Sequence, residues 1–166
     1  MTESATPLSL DDLDRRILDQ LQQDCSLSNL ELAGRVHASP PTCLRRVRRL
    51  RQAGLIQRQV AILNPALLGA GLTAIIEVSL DGQSAAQVDA FEAGLLGEPA
   101  IQQCYRVSSG PDFILVAQVA DMAAYQDLAL RRLSGDARVR NVRSFFATSR
   151  GKFDTRLPVL QKNGLG

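Results

Sequence analysis

The sequence is poor in the residues that build catalytic and metal centres. It has one histidine, His37, which excludes a histidine-based metal site or a Ser-His-Asp triad within one chain. Its three cysteines, Cys25, Cys43 and Cys104, are odd in number and widely separated, so neither a disulfide framework nor a zinc spacing is present. There is no glycine-rich phosphate loop and no nucleophile with a neighbouring base, so no enzyme activity and no cofactor are expected. No apolar run approaches the roughly 18 residues that cross a membrane. Met1 to Leu10 lacks the basic-then-apolar pattern of a secretory signal, which points to a cytoplasmic protein. Only two lysines occur, Lys152 and Lys162.

Arginine is plentiful instead, and it is clustered. Of 17 arginines, seven fall between Glu31 and Val60 against one acid, giving +6 in thirty residues, whereas residues 1–30 sum to −4. The whole chain carries only +2 over 166 residues. A basic segment of this kind inside a domain rich enough in apolar residues to fold reads as a nucleic-acid footprint, or else as a solvated helix face.

Local signals place that segment on a helix. Ser9 with Asp12 suggests a capping box for a first helix over 10–23, with Leu13, Ile17, Leu18 and Leu21 inward. Ser28 with Glu31 opens a short second helix carrying Leu32 and Val36. His37 and Ala38 form the link. Ser39 caps a third helix with Pro40 at its first position, and Gly54 ends it. Cys43, Leu44, Val47 and Leu50 form its apolar stripe; Thr42, Arg45, Arg46 and Arg49 share another side. The pair has the proportions of a helix-turn-helix. Leu55 to Leu63, with Ile56, Val60 and Ile62, reads as a two-stranded wing whose Arg58 can reach phosphate, or as a core hairpin that holds the third helix in place.

After Asn64-Pro65 the pattern changes to β-α-β-β-α-β: strands over 72–80, 101–109, 112–120 and 139–147, and helices over 85–96 and from Asp121, with Met122 and Tyr125 inward. The fold class is therefore α+β: a winged helix-turn-helix over 1–63, a linker over 64–71, a ferredoxin-like domain over 72–150 and a tail over 151–166. Helices cover one sheet face only, so the other is expected to self-associate. Leu157, Val159 and Leu160 are candidates for an added edge strand.

Leu13-Asp14-Arg15-Arg16-Ile17-Leu18, Leu27-Ser28-Asn29-Leu30-Glu31-Leu32-Ala33, Ser39-Pro40-Pro41-Thr42-Cys43-Leu44-Arg45-Arg46-Val47-Arg48-Arg49-Leu50, Gly54-Leu55-Ile56 and Asn64-Pro65 together resemble the leucine-responsive and asparagine-regulator (Lrp/AsnC, feast/famine) family over residues 8–152. The resemblance implies a transcription regulator that binds pseudo-palindromic sites in double-stranded promoter DNA. It implies homodimers that assemble further, to octamers, and an amino-acid effector held between the C-terminal domains. Ser39 and Pro40 match the start of the recognition helix, whose N–H groups would meet phosphate. Thr42, Arg45, Arg46 and Arg49 would face the major groove, and Arg58 the backbone. Arg45 stands where the family often has an acid, so a relative's operator does not transfer. In the effector loop, Gly110, Pro111 and Asp112 match the lining, with Tyr105 nearby and Thr148 on the facing side. Ser109 occupies the family's glycine position, and Gly110 comes one place later. Asp112 either accepts an effector ammonium or caps a structural turn. An architectural DNA-binding protein without an effector is the alternative reading.

Overall fold

A computed structural model of the chain describes residues 9–82 and 84–159. It divides into two compact units, one formed by residues up to Ile62 together with the segment from Lys152, the other by Leu63–Gly151.

The first unit holds three helices: α1 over Asp12–Gln23, α2 over Asn29–Arg35 and α3 over Pro40–Gln52. α1 starts later than Ser9 suggests. Asp11 is its N-cap, and a reciprocal capping box joins Asp11 and Asp14. The Ser28–Glu31 box opens α2 as expected. Ile17, Leu32, Ala33, Val36, Cys43 and Leu50 form the buried core, with Leu13, Leu18, Leu21, Val47 and Ile56 against it. Leu44, expected on the apolar stripe, is 42% exposed. The buried positions on α3 are 43 and 50, with 47 partly covered, and Leu44 lies about 100° around the helix from Cys43.

The expected wing segment is present as an irregular stretch rather than as two paired strands among the described residues. Residues 57–64 carry no strand, and Val60 and Ile62 stay exposed. A lone two-stranded hairpin is marginal without a third strand or a covering helix, and this segment has neither among the described residues. The tail is also not a strand up to residue 159, and Leu160 lies outside the described residues. Instead, the Gln22 side-chain amide donates to the Leu157 carbonyl at 3.0 Å and accepts from its N–H at 2.6 Å.

In the second unit a 3₁₀ turn over Pro65–Leu68, capped by Asn64, leads into β1 over Leu72–Leu80. There follow α4 over Ala85–Leu96, β2 over Ile101–Arg106, β3 over Phe113–Val119, α5 over Met122–Arg132 and β4 over Val139–Phe146. The strands pair antiparallel in the order β2-β3-β1-β4. This is the ferredoxin-like arrangement. β3 alternates as a half-buried strand should: Phe113, Leu115, Ala117 and Val119 meet the helices, which contribute Val88, Phe91, Leu95, Tyr125 and Leu128. Met122, expected inward, is 43% exposed. No described element covers the other face. Register puts Tyr105, Ile114, Val116, Ile75 and Phe145 across its middle, with a Glu77–Arg143 ion pair of 3.3 Å beside them.

Candidate nucleic-acid interface and effector loop

The turn between α2 and α3 is a complete Schellman motif. The Ala38 N–H reaches the Ala33 carbonyl at 3.0 Å and the His37 N–H the Gly34 carbonyl at 3.3 Å. His37 occupies its left-handed position with φ 51°, the only non-glycine residue at positive φ among those described. The Asn29 side chain then donates to the Pro40 carbonyl at 2.8 Å, tying the start of α2 to the start of α3. Gly54, φ 74°, closes α3 with a second Schellman motif, in which the Leu55 N–H reaches the Leu50 carbonyl.

The start of α3 has little to offer a phosphate. Pro40 and Pro41 carry no N–H, the Thr42 N–H is taken by the Ser39 hydroxyl and the Cys43 N–H by the Ser39 carbonyl. The Ser39 and Thr42 hydroxyls bond each other at 2.8 Å. The expectation of backbone N–H groups waiting for phosphate is corrected here, because two consecutive prolines remove the donors that the helix-terminus argument needs.

The arginines of α3 divide into two sets. Arg46 donates to Asp11 at 2.6 Å and to both Asp14 oxygens at 3.2 Å, and Arg49 bonds the same Asp14 carboxylate. Asp14 has no solvent exposure. The Asp14 N–H, and Arg46 after it, hold the Asp11 carboxyl below the ordinary aspartate range, while hydrogen bonding to Asp11 pushes Arg46 further up. The expected groove-facing set is thus corrected at Arg46, and Arg49 is shared between that groove and Asp14. The buried carboxylate draws the Arg46 guanidinium toward α1, whereas Arg49 bonds it with its fork while its stem still lines the outward face of α3. Arg45 and Arg48 are exposed, and neither pairs with an acid among the described residues. Arg58 is likewise exposed, in the irregular segment after α3. A shallow groove of about 600 Å³ runs over this outward face, lined by Pro41, Leu44, Arg45, Arg48, Arg49 and Gln52. Asp14, Asn29 and Arg48 escaped the sequence reading. Arg48 stands one helical turn beyond Arg45, and the spacing of Pro41, Leu44, Arg45 and Arg48 was the available signal.

In the second unit the loop 107–112 lines an open groove of about 450 Å³ with Ala85 and Val88 of α4 and Arg106 of β2. β2 ends at Arg106 rather than Ser109. The chain then turns through Gly110, φ 88°, and is pinned by Asp112. The Asp112 N–H donates to the Val78 carbonyl at 2.9 Å, its carbonyl accepts from Val107 at 3.1 Å, and its Oδ2 takes the Leu80 N–H at 2.7 Å. Asp112 therefore ties the turn to β1. Arg106 is held by Asp89 at 2.9 Å and by Glu92. Gly110, Pro111 and Asp112 are brought together; Tyr105 and Thr148 are not among the lining residues. Tyr105 is one residue from Arg106 and so points to the opposite sheet face, where its hydroxyl donates to Gln103 at 3.0 Å. Thr148 is exposed two residues beyond the end of β4.

Residues 73–157 match the Lrp/AsnC ligand binding domain, and residues 10–57 match a winged helix-turn-helix DNA-binding domain. A leucine-responsive regulatory protein from Salmonella typhimurium is 39% identical over 153 residues, covering 90% of this chain and 92% of its own. One from Rhizobium meliloti is 39% identical over 137 residues, covering 82% and 88%. Among solved structures, a transcriptional regulator from Neisseria meningitidis in complex with L-methionine superposes with TM-score 0.85 at 34% identity, covering 90% of this chain and 97% of the other. An AsnC family transcriptional regulator from Agrobacterium tumefaciens gives TM-score 0.83 at 33% identity, with the same coverage.

Proposed function

We propose, because the chain belongs to the Lrp/AsnC family of DNA-binding transcriptional regulators, that it reads promoter DNA with the outward face of α3 and answers to an amino acid at the loop 107–112. The observation that carries the first half is the division of the α3 arginines. Arg46 and Arg49 are neutralised by Asp11 and Asp14, which leaves Arg45 and Arg48 as charged forks turned outward. Arg45 and Arg48 read guanine acceptors in the major groove. Thr42 lies at the edge of that face, and Ser39 and Pro40 set the first turn against the backbone. Arg58 contacts phosphate without reading sequence.

Two copies joined through the uncovered sheet face present two such heads to the halves of a pseudo-palindromic site, about one helical turn apart. Further assembly, to an octamer, multiplies the heads and raises avidity. The effector reading draws support from the methionine complex of the Neisseria regulator. In this chain Asp112 Oδ1 would accept the ammonium of an amino acid and the turn at Gly110 would present N–H groups to its carboxylate, with a second dimer completing the groove. A regulator of transcription acts in the cytoplasm, on double-stranded DNA, with no membrane partner.

Selection of duplexes from a random library by the full-length protein tests the DNA half. The expected result is enrichment of a pseudo-palindrome bound at least a thousand-fold more tightly than random duplex. A ratio near one would favour a purely architectural role. Calorimetric titration with each of the twenty amino acids tests the effector half, and a saturable signal for one or a few is expected.

A further inference from the structure

Leu44 is the residue on α3 that the fold does not use. It is 42% exposed at mid-helix, one position from fully buried Cys43, and the core closes without it. Pro41 precedes it by one turn, also exposed, and together they form an apolar strip in the groove lined by Arg45, Arg48 and Gln52. No acidic residue lines that groove. Two copies meeting face to face here would oppose arginine to arginine, so a second copy of this chain does not suit the surface. A polyanion does. The one large apolar group that a DNA duplex exposes beside guanine acceptors and phosphates in the major groove is the thymine 5-methyl.

Resting on the DNA-reading role of α3, we infer that Leu44, backed by Pro41, is a specificity residue that packs on a thymine 5-methyl group in the major groove. Arg45 and Arg48 flank it and read guanine. The 1.5 Å rise per residue sets Leu44 and Arg48 about 6 Å apart along the axis, roughly two base-pair steps. The site therefore pairs a thymine with a guanine within about two steps of it.

The test uses a duplex selected from a random library by the full-length protein, in which each thymine is replaced singly by deoxyuridine. That change deletes the methyl group and keeps the base pairing. The wild-type chain should lose roughly fourfold in affinity at one thymine per half-site, the worth of one buried methyl-sized group. Leu44→Ala should bind the thymine and deoxyuridine duplexes equally. Alanine is the best helix former and the side chain lies outside the core, so this variant folds. Arg45→Ala should keep the methyl sensitivity while losing guanine preference. A wild type indifferent to every replacement, or a Leu44→Ala variant as sensitive as wild type, overturns the inference. If selective, salt-dependent duplex binding persists in either case, the DNA-reading role stands without it. If no duplex is bound, both fall.

Discussion

Asp14 sits at zero exposure on a helix that otherwise buries Ile17. Two arginines of α3 and the Asp11 N–H satisfy it. Removing Asp14 deletes the carboxylate the two arginines share, leaving Arg46 with Asp11 alone and Arg49 with no acid among the described residues. Asp14→Ala should therefore destabilise the chain by on the order of 3 kcal/mol, read as a shift in the urea midpoint. His37 is the second residue of consequence. A β-carbon at φ 51° carries a penalty that glycine avoids, partly offset by the extra freedom glycine has when unfolded. His37→Gly should raise stability by about 0.5–1 kcal/mol, seen as a higher melting temperature. Neither effect was legible in the sequence. An aspartate beside Leu13 and Arg15 looks like a solvated first-turn acid until α3, whose Arg46 and Arg49 meet it, is in place. A histidine in a turn looks ordinary until its φ is known.

At the scale of elements, what the chain writes locally was readable. The Ser28–Glu31 box, the Ser39-Pro40 start and Gly54 stop of α3, and the bounds of β1 and α4 all depend on a few adjacent residues, and the structure places them there. The wing's strands were not readable from Val60 and Ile62, because a strand needs a partner and no strand pairs with this segment among the described residues. The side that α3 turns to solvent was half readable. Spacing grouped Arg45 with Arg46 and Arg49, but only the position of Asp14 separates them. The junction between α4 and β2 carries an element-scale prediction. Buried Glu98 accepts from Arg131 at 3.0 Å and Arg132 at 3.1 Å. Burial pushes its carboxyl up, but the bonds from Arg132, Arg131 and the Ala100 N–H more than reverse that and hold it below the ordinary 4.5. A carboxyl lowered on folding stabilises fully above its unfolded value, and the contribution is lost as pH falls through the folded value. Acid titration should therefore show a stability loss beginning below about pH 4.5. Glu98→Gln should flatten that part of the curve while lowering stability at neutral pH.

For the whole molecule, the sheet face that no described element covers links the two proposed functions, because pairing of copies through it, as proposed, would double the DNA-reading heads and bring effector loops into one assembly. Ile75 lies at its centre between Val116 and Phe145. Ile75→Arg adds a charge beside Arg143 where the face must be dry, so light scattering should report monomers where the wild type gives dimers or larger, with the far-ultraviolet circular dichroism unchanged. The division of labour among the α3 arginines is the central claim, and one paired measurement tests it: melting temperature and the ratio of selected-site to random-duplex affinity, for Arg45→Ala and Arg46→Ala side by side. Arg45→Ala should melt with the wild type and lose most of its preference for the selected site. Arg46→Ala should melt well below it and, at a temperature where it is folded, keep that preference. An Arg46→Ala protein with wild-type melting and no site preference, or an Arg45→Ala protein with the preference intact, would contradict the account.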